Sequence, residues 1–128
     1  MPDKPLILVI EDNDFVRMQI VKFLDMGDYS ALEATNAPEG YEILKEHKND
    51  IACMLVDVRM EPEDGFDFLS KISVYDYKIP AILVTGDENP DILSKAASLG
   101  VVTVLMKPVN KDRLLMMVNR AIAGSRRS

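Results

Sequence analysis

Four short, almost wholly apolar runs recur along the chain: Leu6 to Ile10, Ile51 to Val56, Ala81 to Thr85 and Val101 to Met106. Runs this short, apolar without alternation, suit strands buried on both faces, the condition of a parallel sheet covered by helices. Parallel neighbours cannot be joined by a tight turn; each strand must be followed by a long crossover, usually a helix. The runs therefore constrain the segments between them as strongly as they constrain themselves.

Those segments have the required pattern. Asn13 or Asp14 caps a helix in which Val16, Ile20, Phe23 and Leu24 share one face, and Gly27 ends it. Tyr29 to Glu33 reads as a further short strand. Asn36, with Pro38 just inside, starts a helix whose inner stripe is Ala37, Tyr41 and Leu44. Asp64-Gly65 marks a turn before a helix lined by Phe66, Leu69 and Ile72. Pro90 opens a helix carrying Ile92, Ala96 and Leu99 inward, with Gly100 as its stop. Asn110 caps the last helix, which has Leu114, Val118, Ala121 and Ile122 on one face and Gly124 as its expected end. Strands alternating with helices in this way give βαβ units with right-handed crossovers. The expected fold is α/β, a doubly wound (βα)5 arrangement with a five-stranded parallel sheet and helices on both faces. Residues 1–124 form one domain, and residues 125–128 read as a disordered tail or the start of a linker.

A chain of 128 residues is long enough for a core that needs no disulfide. The single Cys53 lies inside an apolar run and reads as a small core residue. A net charge of -6 argues against direct gripping of nucleic acid phosphates, yet it leaves clustered carboxylates free to hold a cation. No signal-peptide pattern and no run long enough to span a bilayer is present, so a cytoplasmic protein is expected.

The strands converge on one set of groups. The first run ends in Glu11-Asp12, the third strand in Asp57, the fourth in Thr85 and the fifth in Lys107. All must finish on the same edge of a parallel sheet, where ligands of open α/β folds gather. Three carboxylates brought together there raise one another's pKa unless a cation sits among them. A hard divalent ion fits, because Mg²⁺ uses few carboxylates and keeps several waters. Metal, lysine and hydroxyl around one aspartate are equipment for stabilising a phosphoryl group in transfer to that aspartate.

This set resembles the receiver domain of two-component response regulators, the CheY-like fold, from roughly Pro5 to Ala123. The motifs are the acidic pair, Asp57 with Met60 in D-x-x-M spacing, Asp64-Gly65, Thr85 followed by a small residue, and Lys107-Pro108. The resemblance implies a phosphoryl-accepting switch that takes its phosphoryl group from a sensor histidine kinase or phosphotransfer protein. Its affinity for a downstream protein or output domain would then change, as a monomer or a phosphorylation-dependent dimer. It implies self-phosphorylation and self-hydrolysis, with no external metabolite turned over. Residue by residue, Asp57 is similar to the phosphoacceptor, Asp12 to a direct Mg²⁺ ligand and Glu11 to a ligand acting through water. By the same resemblance, Asp57 itself and the Arg59 carbonyl would complete the protein's share of the metal shell, in which Mn²⁺ could substitute. Lys107 is similar to the lysine that bridges to the acceptor, and Thr85 to the threonine that swings toward the phosphoryl group. Gly86 suits the small residue beside the entrance, and the Lys107-Pro108 peptide is expected to be cis. Arg59 and Asp87 fall at the positions that flank the path of the hydrolytic water.

Three features depart from the family pattern. Glu61 follows Met60 where proline is common, with Pro62 one residue later, which alters the loop locally. Val104 stands where an aromatic residue commonly rotates with the threonine, so the usual aromatic readout is not expected. No output domain follows Gly124, so this chain alone is not expected to bind DNA. A haloacid-dehalogenase-like phosphohydrolase also uses a strand-end Asp and Mg²⁺, but it needs a second Asp where Arg59 stands, and a cap domain. A flavodoxin-like nucleotide carrier needs a phosphate loop after the first strand, where Glu11-Asp12-Asn13-Asp14 would repel phosphate.

Overall fold

The computed structural model describes residues 4–75 and 77–126. In chain order the elements are β1 (Leu6–Ile10), α1 (Asp14–Met26), β2 (Ser30–Ala34), α2 (Ala37–His47), β3 (Ile51–Asp57) and α3 (Gly65–Ile72). A single 3-10 turn, Ser73–Tyr75, follows, then β4 (Ala81–Thr85), α4 (Pro90–Ser98), β5 (Thr103–Met106) and α5 (Lys111–Arg126). The strands form one parallel sheet in the order β2-β1-β3-β4-β5. The chain order reverses direction at β1, and the carboxyl ends of β1 and β3 flank the crevice that this reversal opens.

Alternate residues of the central strands feed two separate cores. Leu8, Ile10, Met54, Val56 and Leu83 pack with α2, α3 and α4 on one face of the sheet. Ile7, Val9, Cys53, Leu55, Ile82, Val84 and Leu105 pack with α1 and α5 on the other. Such double burial is why these runs carry no polar alternation. Cys53 is a core residue, its thiol pushed up to about 12 by burial, and it is no nucleophile at neutral pH.

Local chemistry sets most of the helix ends. Asn13 accepts from the Val16 amide, Asn36 from Glu39, and Asn89 from Asp91, each satisfying an orphan donor of the first turn. Asp64 and Asp67 form a reciprocal capping box at the start of α3. The Asp64-Gly65 pair is thus the helix start itself. α3 buries Leu69 and Ile72 as expected, together with Phe68, which is stacked on the half-buried Tyr41 at 4.9 Å, whereas Phe66 is only half-buried.

Several boundaries differ from the sequence reading. β2 begins at Ser30 and takes in Ala34, and β3 runs one residue past its apolar stretch to close on Asp57. β5 begins at Thr103, because the Val101 amide is spent closing α4 onto the Ala96 carbonyl. α5 does not stop at Gly124 but runs to Arg126. A glycine inside a helix costs only about 1 kcal/mol, and nothing obliges the chain to turn there. Of the expected disordered tail, Ser125 and Arg126 are helical, and residues 127–128 lie outside the described residues.

Candidate functional site

The sheet brings the strand ends together as its parallel order requires. Glu11 leaves β1, and Asp57 and Thr85 close β3 and β4. All three are sealed from solvent, at 1%, 3% and 1% exposure. Lys107 reaches in from the end of β5 and places its Nζ 3.2 Å from Asp57 Oδ1 and 3.0 Å from Glu11 Oε1. The exposed Asp12 completes an acidic group whose oxygens, with those of Glu11 and Asp57, lie within 4.8 Å of one another. One lysine against three carboxylates leaves the site with excess negative charge. Asp57 is accordingly pushed up to about 8, first by burial and then by Glu11, with Lys107 offsetting only part of the rise. Burial by itself would lower Lys107, but the two carboxylates outweigh it and raise its pKa.

The donor set suits a hard cation. Glu11 Oε2 accepts from the Asn13 amide, whereas Oε1 is buried without a directed hydrogen bond, although it lies close to the Lys107 ammonium. A buried anionic oxygen in that condition is stabilised by a bound cation or a water on it.

Two supports of this floor escaped the sequence reading. Arg17, on α1, donates from Nη1 to the Glu11 carbonyl at 2.8 Å, from Nη2 to Asp14 at 2.6 Å and from Nε to Glu33 at 3.2 Å. It clamps the acidic loop from behind. Only its spacing from Asp14, one helical turn, was available as a signal. Gly65 is the other. A Cβ there would stand 2.4 Å from the Asp57 carbonyl oxygen, so glycine lets the start of α3 pack directly against the Asp57 backbone. The Gly65 amide donates to the Val58 carbonyl at 2.8 Å in the same contact.

The mouth is built differently. Arg59 and Asp87 face each other across the loops after β3 and β4, with Nη2 2.6 Å from Oδ2. With Gly86 and Glu88 they line a shallow depression of about 440 Å³. Asp87 is held below the usual carboxylate range, first by the Asn89 amide and then by Arg59. A Cβ at Gly86 would meet only Lys107 Cβ, at 3.8 Å, an ordinary contact, so free space alone does not demand glycine. The peptides Lys107-Pro108 and Glu61-Pro62 are both cis, the first as expected and the second not foreseen. Val104 is half-buried and packs toward the core under α4. A larger groove of about 740 Å³ lies between α2 and α3, lined by Tyr41, Tyr75 and Tyr77 among others. Among the described residues, the one acidic cluster able to hold a metal is at the strand ends and not in that groove.

Comparison with known proteins agrees with this geometry. The family model for the response regulator receiver domain matches residues 7–119. The chain belongs to that family. A sensor histidine kinase of Helicobacter pylori, CheAY, is 31% identical over 123 residues, 94% of this chain but 15% of that protein. The transcriptional regulatory protein GlrR of Escherichia coli K12 is 30% identical over 98% of this chain and 28% of its own length. The receiver domain thus spans under a third of these curated relatives. A receiver domain protein of Clostridium thermocellum superposes with a TM-score of 0.89 at 29% identity, covering 95% of this chain and 97% of that one. A receiver protein of Pseudomonas putida gives 0.84 at 31% identity, covering 94% and 99%. The chain is a phosphoryl-accepting signalling domain of two-component systems. The haloacid-dehalogenase-like alternative gains no support. No helix among the described residues is long and apolar enough to cross a membrane.

Proposed function

We propose that Asp57 is the phosphoacceptor of this receiver domain. The observation that carries the reading is one buried carboxylate contacted by a lysine and flanked by two further acids at the end of the neighbouring strand β1. An Asp57 carboxylate oxygen attacks the phosphorus of a phosphohistidine. The new P–O bond forms as the P–N bond breaks, and the leaving imidazole takes up a proton. Mg²⁺, with Mn²⁺ as a substitute, would be held by Asp12, Asp57, the Arg59 carbonyl and, through water, Glu11. Bound there, the metal neutralises charge on the transferring oxygens. Lys107 keeps a fixed positive charge beside the acceptor and follows the charge onto the phosphoryl oxygens. Thr85 supplies a hydroxyl to the same group. Gly86 leaves the entrance open, while Arg59, whether on Asp87 or turned onto the phosphoryl group, covers the path of in-line attack by water and so slows self-hydrolysis.

The donor is a sensor histidine kinase or phosphotransfer protein, and the recipient of the signal is a downstream protein or output domain. The chain acts in the cytoplasm, catalyses only its own phosphorylation and dephosphorylation, and makes no direct contact with nucleic acid. The test is incubation with acetyl phosphate and Mg²⁺, followed by intact mass. Wild type gains one phosphoryl group and Asp57→Asn gains none. Equal gain by both proteins removes Asp57 from the role.

A further inference from the structure

Between β4 and α4 the backbone climbs by three bonds in steps of two residues. The Asp87 amide donates to Thr85 Oγ1 at 3.0 Å, the Asn89 amide to Asp87 Oδ1 at 2.9 Å, and the Asp91 amide to Asn89 Oδ1 at 3.0 Å. The bottom step is the sealed hydroxyl in the floor of the site, and the top step is the N-cap of α4. The middle step has a second hold. Asp87 Oδ2 takes the Arg59 guanidinium at 2.6 Å, and the Arg59 side chain is otherwise 78% exposed. Arg59 follows Asp57 by two residues on the loop leaving the same strand. A single exposed arginine therefore ties the loop after the acceptor to the start of α4.

We propose that Arg59 is a positioning residue that transmits the state of Asp57 to α4 by exchanging partners. The proposal rests on the reading of Asp57 as the acceptor. In the unphosphorylated protein Arg59 holds Asp87, and Asp87 holds the turn that leads into α4. A phosphoryl group on Asp57 offers the same guanidinium more negative charge and three strong acceptor oxygens in a geometry that its fork matches. When Arg59 moves to it, Asp87 loses its charged partner and keeps only the Asn89 amide. Turning the Thr85 hydroxyl toward the phosphoryl group opens the step below as well, since that hydroxyl now accepts from Asp87. The two events release one residue from both sides, and the start of α4 loosens. This route needs no aromatic ring at Val104.

The experiment compares amide chemical shifts and hydrogen exchange at Asp87, Asn89 and Asp91 in wild type, Arg59→Ala and Arg59→Lys. Each protein is measured free and with Mg²⁺ plus beryllium fluoride, and bound fluoride is read directly by ¹⁹F resonance. Loading of wild type is expected to shift all three amides and speed exchange at Asn89 by about tenfold. Free Arg59→Ala already shows the loosened values and moves little further on loading. Arg59→Lys, which keeps the charge but not the fork, falls between. A free Arg59→Ala protein with wild-type values at Asn89 and Asp91 overturns the transmission, as does a loaded one displaced as far as wild type. Absence of bound fluoride from wild type overturns the acceptor reading instead, and the trigger of the transmission with it.

Discussion

The floor and the mouth of this site both pair an acidic residue with a basic one, and the two pairs live under different physics. Asp57 with Lys107 sits among buried groups, where water does little to screen charge and an unmatched carboxylate is costly. Arg59 with Asp87 is shorter by 0.6 Å, at 2.6 Å against 3.2 Å, yet Arg59 is mostly in solvent, where ion pairs contribute little to folding. Distance is therefore a poor guide to importance here. The floor stores electrostatic stress of the kind that a bound cation relieves. The mouth is free to change partners because leaving its present one costs so little.

The contrast is sharpest at Asp57. Its carboxyl is pushed up to about 8, chiefly by burial, whereas in the unfolded chain an aspartate titrates at about 4. Between those values the folded state holds a proton that the unfolded state has released. This group therefore makes stability fall as pH rises through the window. In EDTA, the urea midpoint of wild type is expected to drop, relative to Asp57→Asn, on going from about pH 5 to about pH 8. Mg²⁺ should narrow the gap by favouring the charged form. Parallel pH profiles in EDTA would remove the electrostatic stress from the floor.

Gly65→Ala tests the floor sterically. The added methyl meets backbone, which cannot swing aside as a side chain can. A loss of about 1–3 kcal/mol is expected, with weaker Mg²⁺ binding because Asp57 is displaced. An unfolding midpoint equal to wild type would mean that α3 shifts without cost.

Arg17→Ala should cost less, about 1 kcal/mol, through the lost bond to the Glu11 carbonyl. Its more telling effect is on the metal. The acidic loop is no longer clamped, so Mg²⁺ affinity measured by titration should fall while the phosphoryl-acceptor chemistry survives at saturating metal. Unchanged affinity would show that the Asn13 amide alone orients Glu11.

Arg59→Ala should have the smallest effect on folding, with a thermal midpoint indistinguishable from wild type. Loss of phosphoryl label with Mg²⁺ and no phosphatase should nonetheless be faster than in wild type, because one wall of the entrance is gone. A large drop in midpoint would erase the distinction between floor and mouth, and a slower loss of label would leave the pair as plain surface charge.

The sequence by itself determined the sheet, the two helical layers and the members of the acidic site. Unbroken apolar runs permit only doubly buried strands, and parallel strands must all end on one edge, so Glu11, Asp12, Asp57, Thr85 and Lys107 had to meet. Helix starts were legible wherever Asn or Asp supplied the cap or Pro opened the first turn, as at Asn13, Asn36 and Pro90. Ends set by glycine were less so. Gly124 is compatible with a helix and did not stop α5, whereas Gly100, at a φ of +73°, does turn the chain after α4. Only the tertiary structure decided the roles that depend on approach between distant segments. These are the clamp of Arg17 on the acidic loop, the contact of Gly65 with the Asp57 backbone, the burial of Phe68 rather than Phe66, and the hold of Arg59 on Asp87. The reason is physical: a strand end is fixed by local pattern and topology, but a side chain's partner across the fold depends on packing distances that no run of residues carries in its own order.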